Sequence, residues 1–248
     1  MSAVDFSQGE FLAAVLARAV RGSGTVAVGT NSPIPAAAAL LARAHSRGAI
    51  EVAILGLAKH WPFTDGGREL FDFAAQGRLD SFFLGGGQID GAGNLNLVSA
   101  GGYPAGKVRF PGSFGSAYLY ALVPNVIVFR EEHSPRVLVE RVEFISALGV
   151  GPKGAYRKGG PRLLVTGRAV FQFDSEAARF ALLSFHPGES VDSIRKATGF
   201  SFAVAVDVHE TLPPTPEDLV FLRDGIAAEL RPLYPRFVAR ALAGEHHA

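Results

Sequence analysis

The stretch Ser81–Asn96 reads SFFLGGGQIDGAGNLN, and its reading decides the fold. Ser81 to Leu84 is an apolar run of strand length. It passes straight into Gly85-Gly86-Gly87, and Gln88, Asp90, Asn94 and Asn96 follow as small polar groups on a glycine-rich loop. Upstream, Thr25–Val28 and Glu51–Leu55 are two more short apolar runs, the second apolar enough to be buried. Pro33 and Pro35 open a helix between them, with Leu40 and Leu41 on its apolar side and Gly48 as its stop. Gly67–Gln76 forms the next helix, with Leu70, Phe71 and Ala74 inward. Strand, helix, strand, helix, strand at this spacing predicts βαβ units. The fold class is therefore α/β, an open and mostly parallel sheet flanked by helices.

Outward from this nucleus the signals continue. Ser7 and Glu10 form a capping box, followed by Phe11, Leu12, Val15, Leu16 and Ala19 at helical spacing. Phe114–Leu122 reads as a helix and Asn125–Arg130 as a strand. Gly149–Gly160 is a loop of glycine and lysine, expected to be mobile. Leu163–Thr166 and Val170–Phe173 make a hairpin across Gly167. Phe180–Phe185 is a strand and Ser190–Thr198 a short helix. Thr215 and Asp218 open a last helix, with Pro216 in its first turn and Leu219, Leu222, Ile226 and Leu230 along it. The tail Glu245-His246-His247-Ala248 is expected to fray. No linker or repeat interrupts the chain, so residues 1–248 are expected to form one α/β domain with an elaborated second half.

Composition removes several function classes. Of the 248 residues 48% are hydrophobic and 19% charged, which excludes disorder as the main state. Lys plus Arg is 24 and Asp plus Glu 23, a net charge of +1 with no footprint for nucleic acid or an anionic membrane. No apolar stretch approaches the ~20 residues of a spanning helix. The start MSAVDFSQGE lacks the pattern of a signal peptide. The chain has no cysteine, which excludes disulfides, thiolate metal sites and a Cys nucleophile. A cytoplasmic location is expected.

Common catalytic signatures are missing. Gly85-Gly86-Gly87 is followed by no Gly-Lys-Ser/Thr, and Asp90 stands where a dinucleotide fingerprint needs its third glycine. There is no H-E-x-x-H and no G-x-S-x-G. The histidines (His45, His60, His133, His186, His209, His246, His247) are scattered, so no metal site is expected. His60 beside Trp61 either lines a pocket or makes an ordinary loop contact. What remains is a constellation from Gly85 to Ser116. Gln88, Asp90, Asn94 and Asn96 lie at the carboxyl end of a buried strand, where open α/β sheets bind ligands. They could bind amides and phosphate esters, or they decorate a turn and bond local backbone. Gly112-Ser113-Phe114-Gly115-Ser116 precedes a helix, so its N–H groups could hold an oxyanion, with Ser113 as the N-cap.

This constellation resembles the β subunit of class I coenzyme A transferases, closest to the glutaconate CoA-transferase type. That family reads G-G/A-A/G-Q-I/V-D-x-x-G-N-x-N and later R-F-x-G-S-G-G-A. Here Gly86, Gly87, Gln88, Ile89, Asp90, Gly93, Asn94 and Asn96 stand in the first motif, and Arg109, Phe110, Gly112, Ser113 and Gly115 in the second. The likeness extends to Val28-Gly29-Thr30 and to Ala197-Thr198-Gly199-Phe200. It implies an acyl-CoA substrate and an α-like partner subunit, in an α2β2 assembly, with coenzyme A entering only as part of the substrate and no other cofactor. It also implies a departure. The family's nucleophilic Glu lies in a Glu-Ser-Gly-like segment after the second strand, and this chain has Ile54-Leu55-Gly56 there. Isoleucine cannot attack a thioester. Glu51, three residues upstream, falls on the opposite face of the strand.

The resemblance then implies these roles. Gly112, Ser113 and Gly115 bind the oxyanion or thioester. Gly86, Gly87, Gln88, Asp90, Asn94 and Asn96 orient the CoA arm or maintain their own loop. Arg109 meets a phosphate or carboxylate, or else a salt-bridge partner. Ile54 and Leu55 line the acyl cavity, and Trp61 and Phe63 add apolar wall or pack under their loop. Three activities stay open: lyase or hydrolase chemistry through a thioester enolate, true CoA transfer, and a non-catalytic supporting role.

Overall fold

Ser7 caps the first helix as its spacing from Glu10 predicts. The Ser7 hydroxyl accepts from the Glu10 N–H at 3.0 Å, and the Glu10 carboxylate accepts from the Ser7 N–H at 2.8 Å. The computed structural model describes residues 5–242, so the expected fraying at Glu245–Ala248, with His246 and His247, lies outside them. The chain divides into two units, one running to Thr64 and resuming at Leu212, the other Asp65–Thr211.

In the first unit α1 (Gln8–Ala19) packs along α2 (Pro33–His45), both apolar over most of their length. β1 (Thr25–Val28) pairs in parallel with β2 (Glu51–Ile54), placing Val26 opposite Val52 and Val28 opposite Ile54. Three of the four residues of each strand are buried, the continuous apolar run of a parallel strand covered on both faces. β2 ends one residue before the expected Leu55, whose N–H still bonds the Val28 carbonyl at 3.0 Å.

The second unit begins with α3 (Gly66–Ala75) and β3 (Ser81–Leu84). Two small ribbons follow: β4 (Gln88–Ile89) with β5 (Leu95–Asn96), and β6 (Ser99–Ala100) with β7 (Val108–Arg109). Next come α4 (Ser116–Leu122), β8 (Asn125–Arg130), β9 (Pro161–Thr166), β10 (Ala169–Asp174), β11 (Arg179–Phe185), α5 (Val191–Ala197) and β12 (Ala203–Glu210). Its strands run in the order β3-β8-β9-β10-β11-β12. β3–β8, β8–β9 and β11–β12 are parallel, whereas β9–β10–β11 is antiparallel around the expected hairpin at Gly167. Phe171 and Phe180, both fully buried, centre its core. α4 starts two residues later than expected, because Phe114 has a left-handed backbone (φ 42°) that a helix cannot use. β12 has no counterpart in the sequence reading. Its burial is partial and Val206 is wholly exposed, so no buried run marks it.

The chain returns to the first unit through α6 (Pro216–Phe221), capped by Thr215 with Asp218 as expected. It continues through a wider π-type turn over Leu222–Ile226 into Ala227–Leu230. Arg223 there meets the fully buried Glu10 carboxylate through two bonds, 2.6 and 3.0 Å. A charge removed from water needs such a forked partner.

Candidate functional site

The four polar side chains of the Gln88–Asn96 loop are bonded to the loop itself and to one neighbouring segment. Asp90, 3% exposed, accepts from the N–H groups of Ala92 and Asn94 at 3.1 and 3.0 Å, and from the Asn94 amide at 3.1 Å. Asn94 in turn accepts from the Gly149 N–H at 2.9 Å. Asn96 is fully buried; its amide donates to Gln88 Oε1 (2.8 Å) and to the Ser99 carbonyl (2.7 Å), while its Oδ1 accepts from the Val98 N–H at 3.0 Å. The Gln88 amide donates to Glu143 Oε1 at 2.9 Å. These side chains therefore fold the loop. Gly93 bends it at φ 75°, and the buried Tyr120 hydroxyl donates to the Gly93 carbonyl at 2.7 Å.

The second motif is laid directly on the first. The Phe110 ring rests on Gly87 so closely that a Cβ there would come within 2.3 Å of it, which makes glycine obligatory. The Phe110 and Gly112 N–H groups bond the carbonyls of Val98 and Leu97, each at 2.9 Å. Glu143 completes the clamp, because its carboxylate accepts from the N–H groups of Gly101 and Gly102, both at 2.8 Å. The Gly102 N–H, the Gln88 amide and the Gly101 N–H hold its carboxyl below the usual range. Sequence reading missed Glu143: it lies 55 residues from Gln88 with no local signal. Ser99 Oγ is buried and finds no partner among the described residues.

The segment Ser113–Gly115 is organised in the opposite way. The Gly112 N–H is taken by Leu97, but the N–H groups of Ser113, Phe114 and Gly115 bond no acceptor among the described residues. The Ser113 side chain makes no cap; its carbonyl accepts from the Ser116 N–H at 2.6 Å. Phe114 has φ 42° and is 87% exposed. For a residue with a Cβ the left-handed region costs roughly 1–2 kcal/mol. In the family motif R-F-x-G-S-G-G-A, this place belongs to glycine. The segment can offer successive N–H donors to an oxyanion, beside an apolar ring.

The remaining expected residues are placed as follows. Gly86 is buried against Ile89 and Leu95. Arg109 is exposed in β7 and meets no carboxylate among the described residues. In the first unit Ile54 is fully buried, Leu55 half-buried, and Glu51 exposed at the start of β2. Trp61 and Phe63 meet edge to face at 5.1 Å. His60 Nε2 lies 2.6 Å from Glu229, whose other oxygen takes Lys59 at 2.9 Å. Among the described residues no three His, Asp or Glu gather to hold a metal.

Two cavities belong to the second unit. One of about 670 Å³ is bordered by Asp90, Asn94, Arg141, Arg179 and Phe200. The other, about 330 Å³, is a cleft in the Gly149–Gly160 loop carrying Arg157, Lys158 and Arg162. Arg157 is committed to the carbonyls of Leu148, Gly149 and Gly159. Farther along the sheet His133 is a buried neutral imidazole between the hydroxyls of Thr166 (2.7 Å) and Thr198 (2.9 Å). Burial, then the nearby Arg168 charge, lowers its pKa to about 4.

The sequence pattern of the family described as coenzyme A transferase matches residues 12–197. The B-type component of the glutaconate CoA-transferase of Acidaminococcus fermentans is 34% identical over 151 residues, covering 58% of this chain and 56% of the relative. The IpdB component of the cholesterol ring-cleaving hydrolase of Rhodococcus jostii is 29% identical over 174 residues, 63% of each chain. The crystal structure of IpdAB from the same organism superimposes with a TM-score of 0.77 at 25% identity, over 97% of this chain and 100% of that one. The crystal structure of the decarboxylase AibA/AibB gives a TM-score of 0.72 at 25% identity, over 96% of this chain and 100% of that one. By sequence, the chain spans less than two thirds of the length of the curated relatives it matches.

Proposed function

The chain belongs to the coenzyme A transferase family, and on that premise we propose that it is the β-type subunit of a heteromeric enzyme acting on an acyl-CoA thioester. The proposed chemistry is lyase or hydrolase work through a thioester enolate. The observation that carries it is the run of N–H donors at Ser113, Phe114 and Gly115, left without acceptors among the described residues. A thioester carbonyl set against them becomes electron-poor, and an enolate formed there is stabilised. One such donor is typically worth ~10²–10³ in rate. In decarboxylation the bond to the remote carboxylate breaks, its electron pair enters the enolate, and carbon is then protonated. In hydrolytic cleavage water adds to a carbonyl β to the thioester, and the C–C bond breaks toward the enolate.

Ile54 supports this reading over covalent transfer, because it ends β2 with a fully buried apolar side chain that carries no nucleophile. Gly86, Gly87, Gln88, Asp90, Asn94 and Asn96 act by holding their loop in place, and Arg109 is free to meet a phosphate or carboxylate. Lys158 and Arg162 at the basic cleft suit the phosphates of coenzyme A. The partner is an α-like subunit, in an α2β2 assembly in the cytoplasm; coenzyme A comes with the substrate and no other cofactor takes part. Likeness to a glutaconate CoA-transferase component favours true CoA transfer as the second reading.

Mass spectrometry of every CoA species decides between them. The chain is copurified with its α-like partner and given glutaconyl-type and ring-derived acyl-CoAs, with and without excess acetate. A product lighter by CO2 or heavier by water, regardless of acetate, is the expected result. Acetyl-CoA appearing only with acetate establishes transfer instead.

A further inference from the structure

Phe114 combines two unfavourable features. Its backbone is left-handed at φ 42°, and the residue is 87% exposed. Yet the ring is not loose. It packs against Phe71, centroids 5.5 Å apart at 51°, and Phe71 meets Tyr118 edge to face at 6.1 Å. Tyr118 is itself 47% exposed. Glycines keep this surface flush: a Cβ at Gly67 would lie 3.0 Å from the Phe114 ring, and one at Gly115 would enter the Phe71 ring at 1.9 Å. The three rings thus form a built aromatic wall in the second unit. It adjoins the N–H groups of Ser113, Phe114 and Gly115, which bond no acceptor among the described residues. A backbone outlier held by its surroundings points to function. The pairing of donors with an apolar face matches a thioester, whose carbonyl needs donors and whose acyl substituent needs apolar surface.

We propose that Phe114, backed by Phe71 and Tyr118, is the specificity-determining residue for the acyl group, selecting bulky, ring-bearing acyl thioesters over short ones. This rests on the acyl-CoA reading of the site. The open ring face offers stacking area that a cyclic acyl group covers and an acetyl group does not. A residue on such a wall changes discrimination roughly 10-fold or more.

The test is calorimetric binding of cyclohexanecarbonyl-CoA and of acetyl-CoA to the complex copurified with its α-like partner. Wild type is expected to prefer the cyclic thioester roughly 10-fold. In Phe114→Gly, which keeps the N–H and accepts a left-handed backbone, that preference is expected to fall below about threefold. Phe114→Trp is expected to retain it. An unchanged preference in Phe114→Gly overturns the proposal, as does an equal loss for both thioesters. Loss of the α-like partner from Phe114→Gly on size exclusion also overturns it, by assigning the wall to an interface with that partner. Failure of wild type to bind either thioester instead overturns the acyl-CoA reading itself.

Discussion

Two neighbouring loops of the second unit handle their polar groups in opposite ways. In the Gln88–Asn96 loop all four polar side chains are bonded within the chain, and three of them are buried. In the Ser113–Gly115 segment successive backbone donors find no acceptor among the described residues, and a strained phenylalanine is exposed. The loop that looks like a binding site in sequence is a scaffold. The loop proposed to bind offers atoms every residue possesses. Side-chain chemistry concentrated in a motif here marks what holds the loop, and in the proposed reading the ligand-facing groups are main-chain N–H bonds and a ring.

The contrast breaks most visibly at Asp90. Its carboxylate receives several N–H groups in a buried turn, and each group left bare costs about 1–3 kcal/mol. Asp90→Ala is expected to lower the unfolding free energy by about 3 kcal/mol in urea titration. A change under about 1 kcal/mol would mean that solvent replaces those bonds.

Acid provides a second break of nearly the same size. His133 must stay neutral in the fold, with its pKa at about 4 against about 6.5 unfolded. The unfolded chain binds a proton first as pH falls, so stability is full above about 6.5 and is lost progressively down to about 4. The expected loss over that window is about 3 kcal/mol. His133→Gln is expected to flatten the slope in unfolding curves measured across it.

Phe114→Gly sharpens the comparison from the other side. Relief of the left-handed backbone is partly offset by the added chain entropy of glycine, leaving a gain of up to about 1 kcal/mol in unfolding free energy. A loss of stability in that titration would mean that the ring packs for the fold's sake.

The smallest effect is local. Glu143→Gln keeps the shape but removes the charge that Gly101 and Gly102 bond. Faster amide exchange confined to the peptide containing those two glycines is expected. Acid has the same direction: with its pKa depressed, the Glu143 clamp is present at neutral pH and is lost as pH falls through the acidic range. Equal exchange in both proteins would deny Glu143 its clamping part.

Much of the fold was legible because its signals are local. β1, β3 and β8 span the residues their apolar runs predict, α1 begins at the capping box read from Ser7, and α6 begins where Thr215 with Asp218 was read to open it. β12 was not legible, because an edge strand with partial burial has no continuous apolar run. The site was legible only as two motifs. That Phe110 lies on Gly87, or that Glu143 ties Gln88 to Gly101 and Gly102, depends on contacts between distant residues. The glycine missing from the second motif at Phe114 was the one sequence sign of an altered loop.

The central claim is that backbone donors at Ser113–Gly115, and not the polar side chains of Gln88 and Asn96, meet the thioester. It is tested most directly by amide resonances of the isotope-labelled chain in its complex, titrated with an acyl-CoA analogue whose thioester sulfur is replaced by methylene. The account predicts large shifts and slowed exchange at the N–H groups of Ser113, Phe114 and Gly115, with the side-chain amides of Gln88 and Asn96 unmoved. Movement of those side-chain amides, with residues 113–115 unchanged, would contradict it.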